Sequence, residues 1–544
     1  MLSAQSSAPD QAPGHQKAGG REWTGLAVLL LPLLLVSMDV SVLYFAVPFI
    51  SRDLAPSSTQ QLWIFDVYGF VLAGLLITMG SLGDRIGRRR LLLIGALCFS
   101  IASLGAAYSH SAGELIAARA VQGVAGATLM PSTLALIRNM FHDEKQRRIA
   151  IAIWTSATMS GIALGPVLSG FLLDHFWWGS VFLINVPFMI LLLVFGPALV
   201  PEFRAPNAGR FDLISSLLSL GAVLPVIYGM QEISANGSRP GYVAAIGTGV
   251  AIGVAFVIRQ ARSSVPMIEL ALFRSRGFTG AVALNLVSMF AIVGFAIFAT
   301  QYLQSVRGMS PFTAALWSTV PAAGTMTAVP LSQLLVKLVD RGYVAGGGLL
   351  MAASGFGLLT HAQTHSGLWF VLLGASIYAG GVVTAVTVGN ELIMGAVPPE
   401  RAGAAAAIVE TASEFGGALG MAVLGSIGVA VYRSDLARTA PAGLPSAAVR
   451  ASQNTLGGAL SVAGHLPAQL GVQLIGAARA AFTHGVDAAA LGATLAMIVA
   501  AAATARFFRG IEVVPDAAQS GTLDPAAADG AQAGGTGARP ELVR

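Results

Sequence analysis

Gly80-Ser81-Leu82-Gly83-Asp84-Arg85-Ile86-Gly87-Arg88-Arg89-Arg90 is a short polar turn set between two long apolar runs, 60–81 and 90–109. Its glycines allow a tight turn and close helix approach. One acid beside four arginines makes a charge cluster that can break and re-form as helices move. Each flanking run has the roughly 20 residues that a helix needs to cross a hydrocarbon core of about 30 Å. The stretch therefore reads as the turn between two membrane spans. The bland alternative for its arginines is a basic topology anchor, which the full pattern disfavours.

The same alternation of apolar run and polar break continues in both directions. Runs at approximately 25–50, 60–81, 90–109, 112–137, 149–173, 180–200, 212–232, 242–260, 278–303, 312–336, 344–361, 368–394, 403–432 and 481–508 make fourteen expected spans. Of the 544 residues, 55% are hydrophobic and only 10% charged, against about 25% charged in soluble domains. That composition excludes an ordinary soluble protein. The runs are continuously apolar rather than alternating, which selects helices over a β-barrel. The fold class is an all-α polytopic membrane protein.

Cytoplasmic loops are enriched in Lys and Arg. With the N-terminus inside, the short inner segments hold Arg85, Arg88, Arg89, Arg90, Arg138, Lys145, Arg147, Arg148, Arg259, Arg262, Arg274 and Arg276. The short outer loops hold only Arg52, Arg239 and Arg307. Both termini are thus expected in the cytoplasm, of a protein lodged in the plasma (inner) membrane. The net charge of +5 follows from topology and does not signal nucleic acid. Cys98 is the only cysteine, so neither an intramolecular disulfide nor a thiolate metal cluster can form. No lysine stands in a phosphate-binding loop. His361 and His365 have helical metal-ligand spacing but no acidic partner nearby in sequence, so no metal is expected.

Two faint internal echoes suggest a duplication. Asp340-Arg341-Gly342 follows the tenth span as Asp84-Arg85 follows the second, and Pro399-Glu400-Arg401-Ala402 precedes the thirteenth as Glu144 to Ala150 precedes the fifth. The expected organisation is a cytoplasmic tail at 1–24, a six-helix bundle at 25–200, a two-helix insertion with linkers at 201–277 and a second six-helix bundle at 278–508. A long outer loop at 433–480 reads either as a helical hairpin over the outer mouth or as a passive linker. Residues 509–544 read as a disordered cytoplasmic tail.

The opening turn resembles the signature between helices two and three of the major facilitator superfamily. Two further stretches narrow the resemblance. Leu115, Arg119, Gln122, Gly123, Gly126 and Ala127 are similar to the fourth-helix motif, whose arginine the family associates with proton coupling. Gly161-Ile-Ala-Leu-Gly165-Pro166-Val-Leu-Ser-Gly170 is similar to the fifth-helix antiporter motif, where Gly and Pro shape a kinked, closely packed helix. With fourteen spans, the chain resembles the drug:proton antiporters of that helix number. Trp63-Ile-Phe-Asp66-Val-Tyr68 and Glu410-Thr-Ala-Ser-Glu414 look like the quaternary-ammonium and biguanide exporters. The first span departs from the usual pattern, with Leu43-Tyr44-Phe45 where a polar residue is common.

Asp39, Asp66, Glu410 and Glu414 all fall inside apolar spans, where an ionisable group is costly and is by default a functional hypothesis. At 1.5 Å of rise per residue, Asp39 lies about 21 Å up its helix, and Asp66 and Arg119 lie about 10 Å below the outer ends of theirs. The three share one layer. Glu410 and Glu414, four apart, occupy one helix face lower down and resist joint ionisation if poorly solvated. In a wide inner vestibule they would behave as ordinary carboxylates.

These residues and the resemblance imply a proton-coupled antiporter exporting lipophilic, mainly cationic compounds by alternating access, driven by the proton gradient and needing no cofactor. Asp39 and Arg119 are expected to couple protons, and Asp66, Tyr68, Glu410 and Glu414 to bind substrate or protons. Gly80, Asp84, Arg85, Gly87 and Arg88 would form a conformational latch, and Gly161, Gly165, Pro166 and Gly170 the antiporter helix. Partners are small-molecule cations, protons and the lipid bilayer, with the monomer functional. The alternatives are a dedicated exporter of one metabolite or antibiotic, an uptake symporter, and a membrane-embedded enzyme or sensor.

Overall fold

The computed structural model describes residues 18–204, 212–263, 270–396 and 402–508. The expected tail at 509–544 and most of the tail at 1–24 lie outside them. Helix α1 (Gly20–Leu54) is followed by α2 (Ser58–Ile86), α3 (Arg88–Ala107), α4 (Ala112–Met140), α5 (Glu144–His175), α6 (Ser180–Leu183) and α7 (Asn185–Leu199). Next come α8 (Leu213–Asn236), α9 (Pro240–Arg262), α10 (Arg276–Gln301), α11 (Pro311–Trp317), α12 (Pro321–Leu335), α13 (Arg341–Leu359) and α14 (Leu368–Ala396). The chain ends on α15 (Ala402–Thr439), α16 (Ser446–Asn454), α17 (Leu456–Ala463) and α18 (Ala468–Phe507). No strand occurs among the described residues.

Polar residues in the breaks set the helix starts. The Ser57 hydroxyl accepts from the Gln60 N–H at 3.2 Å while the Gln60 amide oxygen takes the Ser57 N–H at 3.0 Å, a reciprocal cap on α2. Ser111, Asp143, Asp212 and Ser275 cap α4, α5, α8 and α10 in the simpler way. Large apolar side chains such as Leu97, Ile101, Val254, Val257, Leu495 and Val499 are exposed on α3, α9 and α18. This outward apolar belt, together with the long apolar helices, marks a multi-pass membrane protein.

Thirteen helical segments among the described residues are long and apolar enough to span a membrane. The remaining expected span, 312–336, is divided into α11 and α12. Pro321 has no N–H for the Trp317 carbonyl, and tighter i−3 bonds (Val320 N–H to Trp317 O, 3.1 Å; Ala323 N–H to Val320 O, 3.0 Å) carry the chain through. The segment 433–480, for which a helical hairpin and a passive linker are the two expectations, is mostly helix. α15 runs on to Thr439, α18 begins at Ala468, and α16 and α17 fill the interval. Alanine, the best helix former, is the commonest residue in these helical stretches.

Glycines set the close approaches. A Cβ on Gly161 would lie 2.6 Å from the Leu34 carbonyl oxygen of α1, and one on Gly165 would lie 3.2 Å from that of Met38. A Cβ on Gly170 would lie 2.7 Å from the Phe312 Cα of α11. The antiporter-motif helix α5, with Pro166 inside it, is thus sealed against α1 and α11 through missing side chains. Contacts between early and late helices cluster toward the end opposite the Asp84–Arg90 turn. Thr300 donates to the Tyr44 carbonyl at 3.4 Å, Arg433 donates to the Ser58 hydroxyl at 3.1 Å, and Gly457 of α17 sits on Pro48 and Ser51.

Candidate functional site

Asp39 on α1 and Arg119 on α4 form an ion pair through Arg119 Nη1, with both side chains at most 2% exposed. The guanidinium also donates from Nε to the Ile64 carbonyl of α2 and from Nη1 to Gln122 Oε1, each at 3.1 Å. Its carbon lies 4.3 Å from the centre of the Tyr68 ring. Gln122 in turn donates to Ser103 at 2.9 Å, which also receives Asn185 at 3.3 Å. The cation is therefore held by a carboxylate, neutral oxygens and an aromatic face, which together offset its desolvation.

Asp66 is 1% exposed, and its partner is not Arg119. Gln231 of α8 donates its amide N–H to Asp66 Oδ2. Asp66 Oδ1, Gln231 Oε1 and the hydroxyls of Tyr44 and Tyr68 have no hydrogen-bond partner among the described residues. Tyr44 stacks on Phe65 at 5.4 Å. Asp66, Glu414 and Arg119 all lie within electrostatic reach of the Tyr44 hydroxyl, and Asp39, Arg119 and Glu414 within reach of Tyr68. Glu410 lies one turn from Glu414 on α15, and both are half-buried. Asp39, Asp66 and Glu414 thus lie around the two tyrosines. Tyr68 faces Arg119 and so backs the cation rather than offering a free aromatic wall.

α8 reaches this site because it lies antiparallel along α2. Thr78 bonds Ser216, Gly74 admits Leu220, and Phe70 and Ile227 share an apolar cluster with Ala418 and Ala422 of α15. At its other end the α8 cap is clamped to α9. Burial works against the Asp212 carboxylate, but hydrogen bonds from Ser215 and from Arg259 Nη2 at 2.8 Å outweigh it and hold the group below its usual range. Gln231 was not legible as a site residue. The only signal was an amide near the end of an apolar run.

At the turn, Arg88 donates to Asp84 Oδ1 from Nε at 2.8 Å and from Nη2 at 2.6 Å. Arg85 is exposed. The Arg89 backbone N–H donates to Glu202 Oε1 at 3.0 Å, and its side chain reaches the Pro197 and Val200 carbonyls, each at 3.0 Å. Gly87 has φ 115°, and a Cβ there would lie 2.5 Å from Glu202 Oε1. Gly80 meets only Pro131, at 3.8 Å. The cluster is thus anchored on Glu202, just beyond α7, a residue that the motif itself does not contain.

The profile of the Major Facilitator Superfamily matches residues 29–421. The chain belongs to that superfamily. It is 43% identical over 500 residues to the multidrug efflux pump LfrA of Mycolicibacterium smegmatis, covering 91% of this chain and 98% of that protein. It is 33% identical over 486 residues to the methyl viologen resistance protein SmvA of Salmonella typhimurium, covering 88% and 97%. In fold it is similar to a bacterial homologue of the human lysosomal transporter Spinster, at TM-score 0.63 and 17% identity, covering 90% of this chain and 98% of that one. This superfamily member is a transporter of the efflux kind and not an enzyme.

Proposed function

We propose that this transporter exports lipophilic cations in exchange for protons. The observation that carries the reading is the buried Asp39–Arg119 pair, with Asp66 and Glu414 gathered around the unpartnered hydroxyls of Tyr44 and Tyr68. So much negative charge inside a membrane protein is tolerated where it can be neutralised, either by a cation or by a proton. The two compete. Protons arriving from outside neutralise carboxylates that held the drug, and deprotonation on the inner side resets them. Asp39 with Arg119 forms the coupling core; Asp66, Glu410 and Glu414 hold cation or proton, with Tyr68 packed against the guanidinium.

The helices work as two six-helix bundles, 25–200 and 278–508, around the insertion at 201–277, with both termini in the cytoplasm of a plasma-membrane monomer. In that orientation the halves meet on the outer side. Asp84 and Arg88, fixed to Glu202 through the Arg89 backbone N–H, form the latch that re-forms against the second bundle on closing. The proton gradient is the sole energy source, and no cofactor takes part. The similarity to a methyl viologen resistance protein supports cationic substrates.

The test is efflux of ethidium and methyl viologen in inverted vesicles at two imposed pH gradients, comparing wild type with Asp39→Asn and Glu410→Gln. The reading expects gradient-dependent transport that Asp39→Asn abolishes for both compounds and that Glu410→Gln loses for the dication alone. Transport of neither compound, or transport indifferent to the gradient, would overturn it. A dedicated exporter would ignore most members of a panel of unrelated dyes.

A further inference from the structure

We propose that the two-helix insertion supplies a working part of the transport site: Gln231 of α8 is the positioning residue that lets Asp66 exchange its proton inside the membrane. This rests on the proton-coupled reading and names a residue for it. Both groups are buried, at 1% exposure each, and they are joined by one bond, from the Gln231 amide N–H to Asp66 Oδ2. What remains on each is an oxygen acceptor without a donor, Asp66 Oδ1 and Gln231 Oε1. Leaving two buried acceptors unmet is costly. A single proton on Asp66 Oδ1 converts one of them into a donor for the other, and the acid and amide then pair reciprocally.

The same amide serves both states of the carboxyl. When Asp66 is neutral, Gln231 donates one hydrogen bond and accepts one. After the proton leaves, Gln231 still donates to the carboxylate and stabilises its charge. An aliphatic side chain would do neither, and its absence of a donor penalises the charged form more. The groups that face Asp66 from the neighbouring elements do not substitute for the amide. On α1, Asp39 is held by Arg119 of α4, and the Tyr44 hydroxyl makes no hydrogen bond to Asp66. On α15, Glu410 and Glu414 are acceptors when ionised, and Arg433 at the outer end donates to Ser58. On α8 itself, Glu232 accepts from Asn236 at 2.7 Å.

The packing makes α8 a fixed support. Thr78–Ser216, Gly74 against Leu220, and the Phe70–Ile227–Ala418–Ala422 cluster tie it to α2 and α15 from the turn end up to Gln231. Asp66 and Gln231 thus stay in register because α2 and α8 are fastened along their length and move as one.

The full-length protein in inverted vesicles tests this, with rates corrected for protein amount. Gln231→Leu is expected to shift the pH profile of ethidium efflux to alkaline by about one unit, because Asp66 now gives up its proton only at higher pH. In the Asp66→Asn background the same substitution should leave the profile where Asp66→Asn alone puts it. A uniform fall in rate without a shift, no change at all, or an equal shift in the Asp66→Asn background would overturn the proposal. Infrared spectra of the purified protein give a readout that needs no transport. Wild type at neutral pH should show a protonated-carboxyl stretch that Asp66→Asn removes and that Gln231→Leu moves in frequency. If that band is present and moves while wild-type efflux is indifferent to the pH gradient, the pairing stands and the proton-coupled reading falls. A band indifferent to Gln231→Leu would sink the pairing itself.

Discussion

Replacing Asp39 by Asn keeps the side-chain shape and removes the charge opposite Arg119. Breaking a buried ion pair by neutralising one member costs about 3–5 kcal/mol, because the other charge is left behind. The guanidinium here is not wholly abandoned: it retains the Ile64 carbonyl and Gln122 Oε1 at 3.1 Å and the Tyr68 face at 4.3 Å. The Asn carbonyl can also accept from it, and a hydrogen bond to a charged donor contributes about 1.5–3 kcal/mol. The net loss of stability should then be about 1–3 kcal/mol. Arg119→Gln strands a carboxylate with no comparable substitute and should cost more, toward about 3–5 kcal/mol. The Asp39→Asn/Arg119→Gln pair removes both charges and should recover part of that loss. Thermal unfolding of the four purified proteins in one detergent gives the stability order, and pH-driven ethidium efflux gives the function. Efflux should be lost in all three variants, including the stabilised double. A double variant as unstable as the sum of the singles would refute the pairing energetics. Asp39→Asn with full pH-driven efflux would refute the coupling role.

Gly87→Ala should sharply lower folded yield, since φ 115° is strained for any Cβ and the new carbon would meet Glu202 Oε1 at 2.5 Å. Gly80→Ala, with only Pro131 at 3.8 Å, should be tolerated, and membrane yields of the two distinguish them. Gly161→Val should separate α1 from α5 and cost about 1–3 kcal/mol by overpacking, read as a lower melting temperature and weaker efflux. Asp212 has its native-state proton affinity lowered, so its contribution is present above the unfolded pKa and is lost as pH falls through the folded one. Asp212→Asn should therefore lower the melting temperature near neutral pH by an amount that shrinks in acid. Partial exposure limits the effect to about 1 kcal/mol.

The membrane fold was readable because composition and period act locally. Apolar runs of spanning length, Ser and Asp caps at the breaks, and the Gly80–Arg90 turn each report on neighbouring residues, and their sum specifies a helical membrane fold. Asp39 and Arg119 could also be matched, since helix rise converts position in a span into depth. Depth does not give direction around the helix. That is why Asp66, at the right level for Arg119, turns instead to Gln231, and why Tyr68 backs the guanidinium. Gln231 and Glu202 were invisible as site residues because their partners lie far away in sequence and are chosen by how α8 and the segment after α7 pack. The break at Pro321 was a local feature, but hydropathy alone does not register it.

If protons and cations share the same carboxylates, the most direct measurement is proton movement on adding substrate. In proteoliposomes containing the full-length protein and an internal pH dye, with no imposed gradient, adding methyl viologen to the outside should drive protons out as the cation enters. The same liposomes with Asp39→Asn should show no proton movement. Proton flow in the same direction as the cation, or cation entry with no proton movement in wild type, would contradict that sharing.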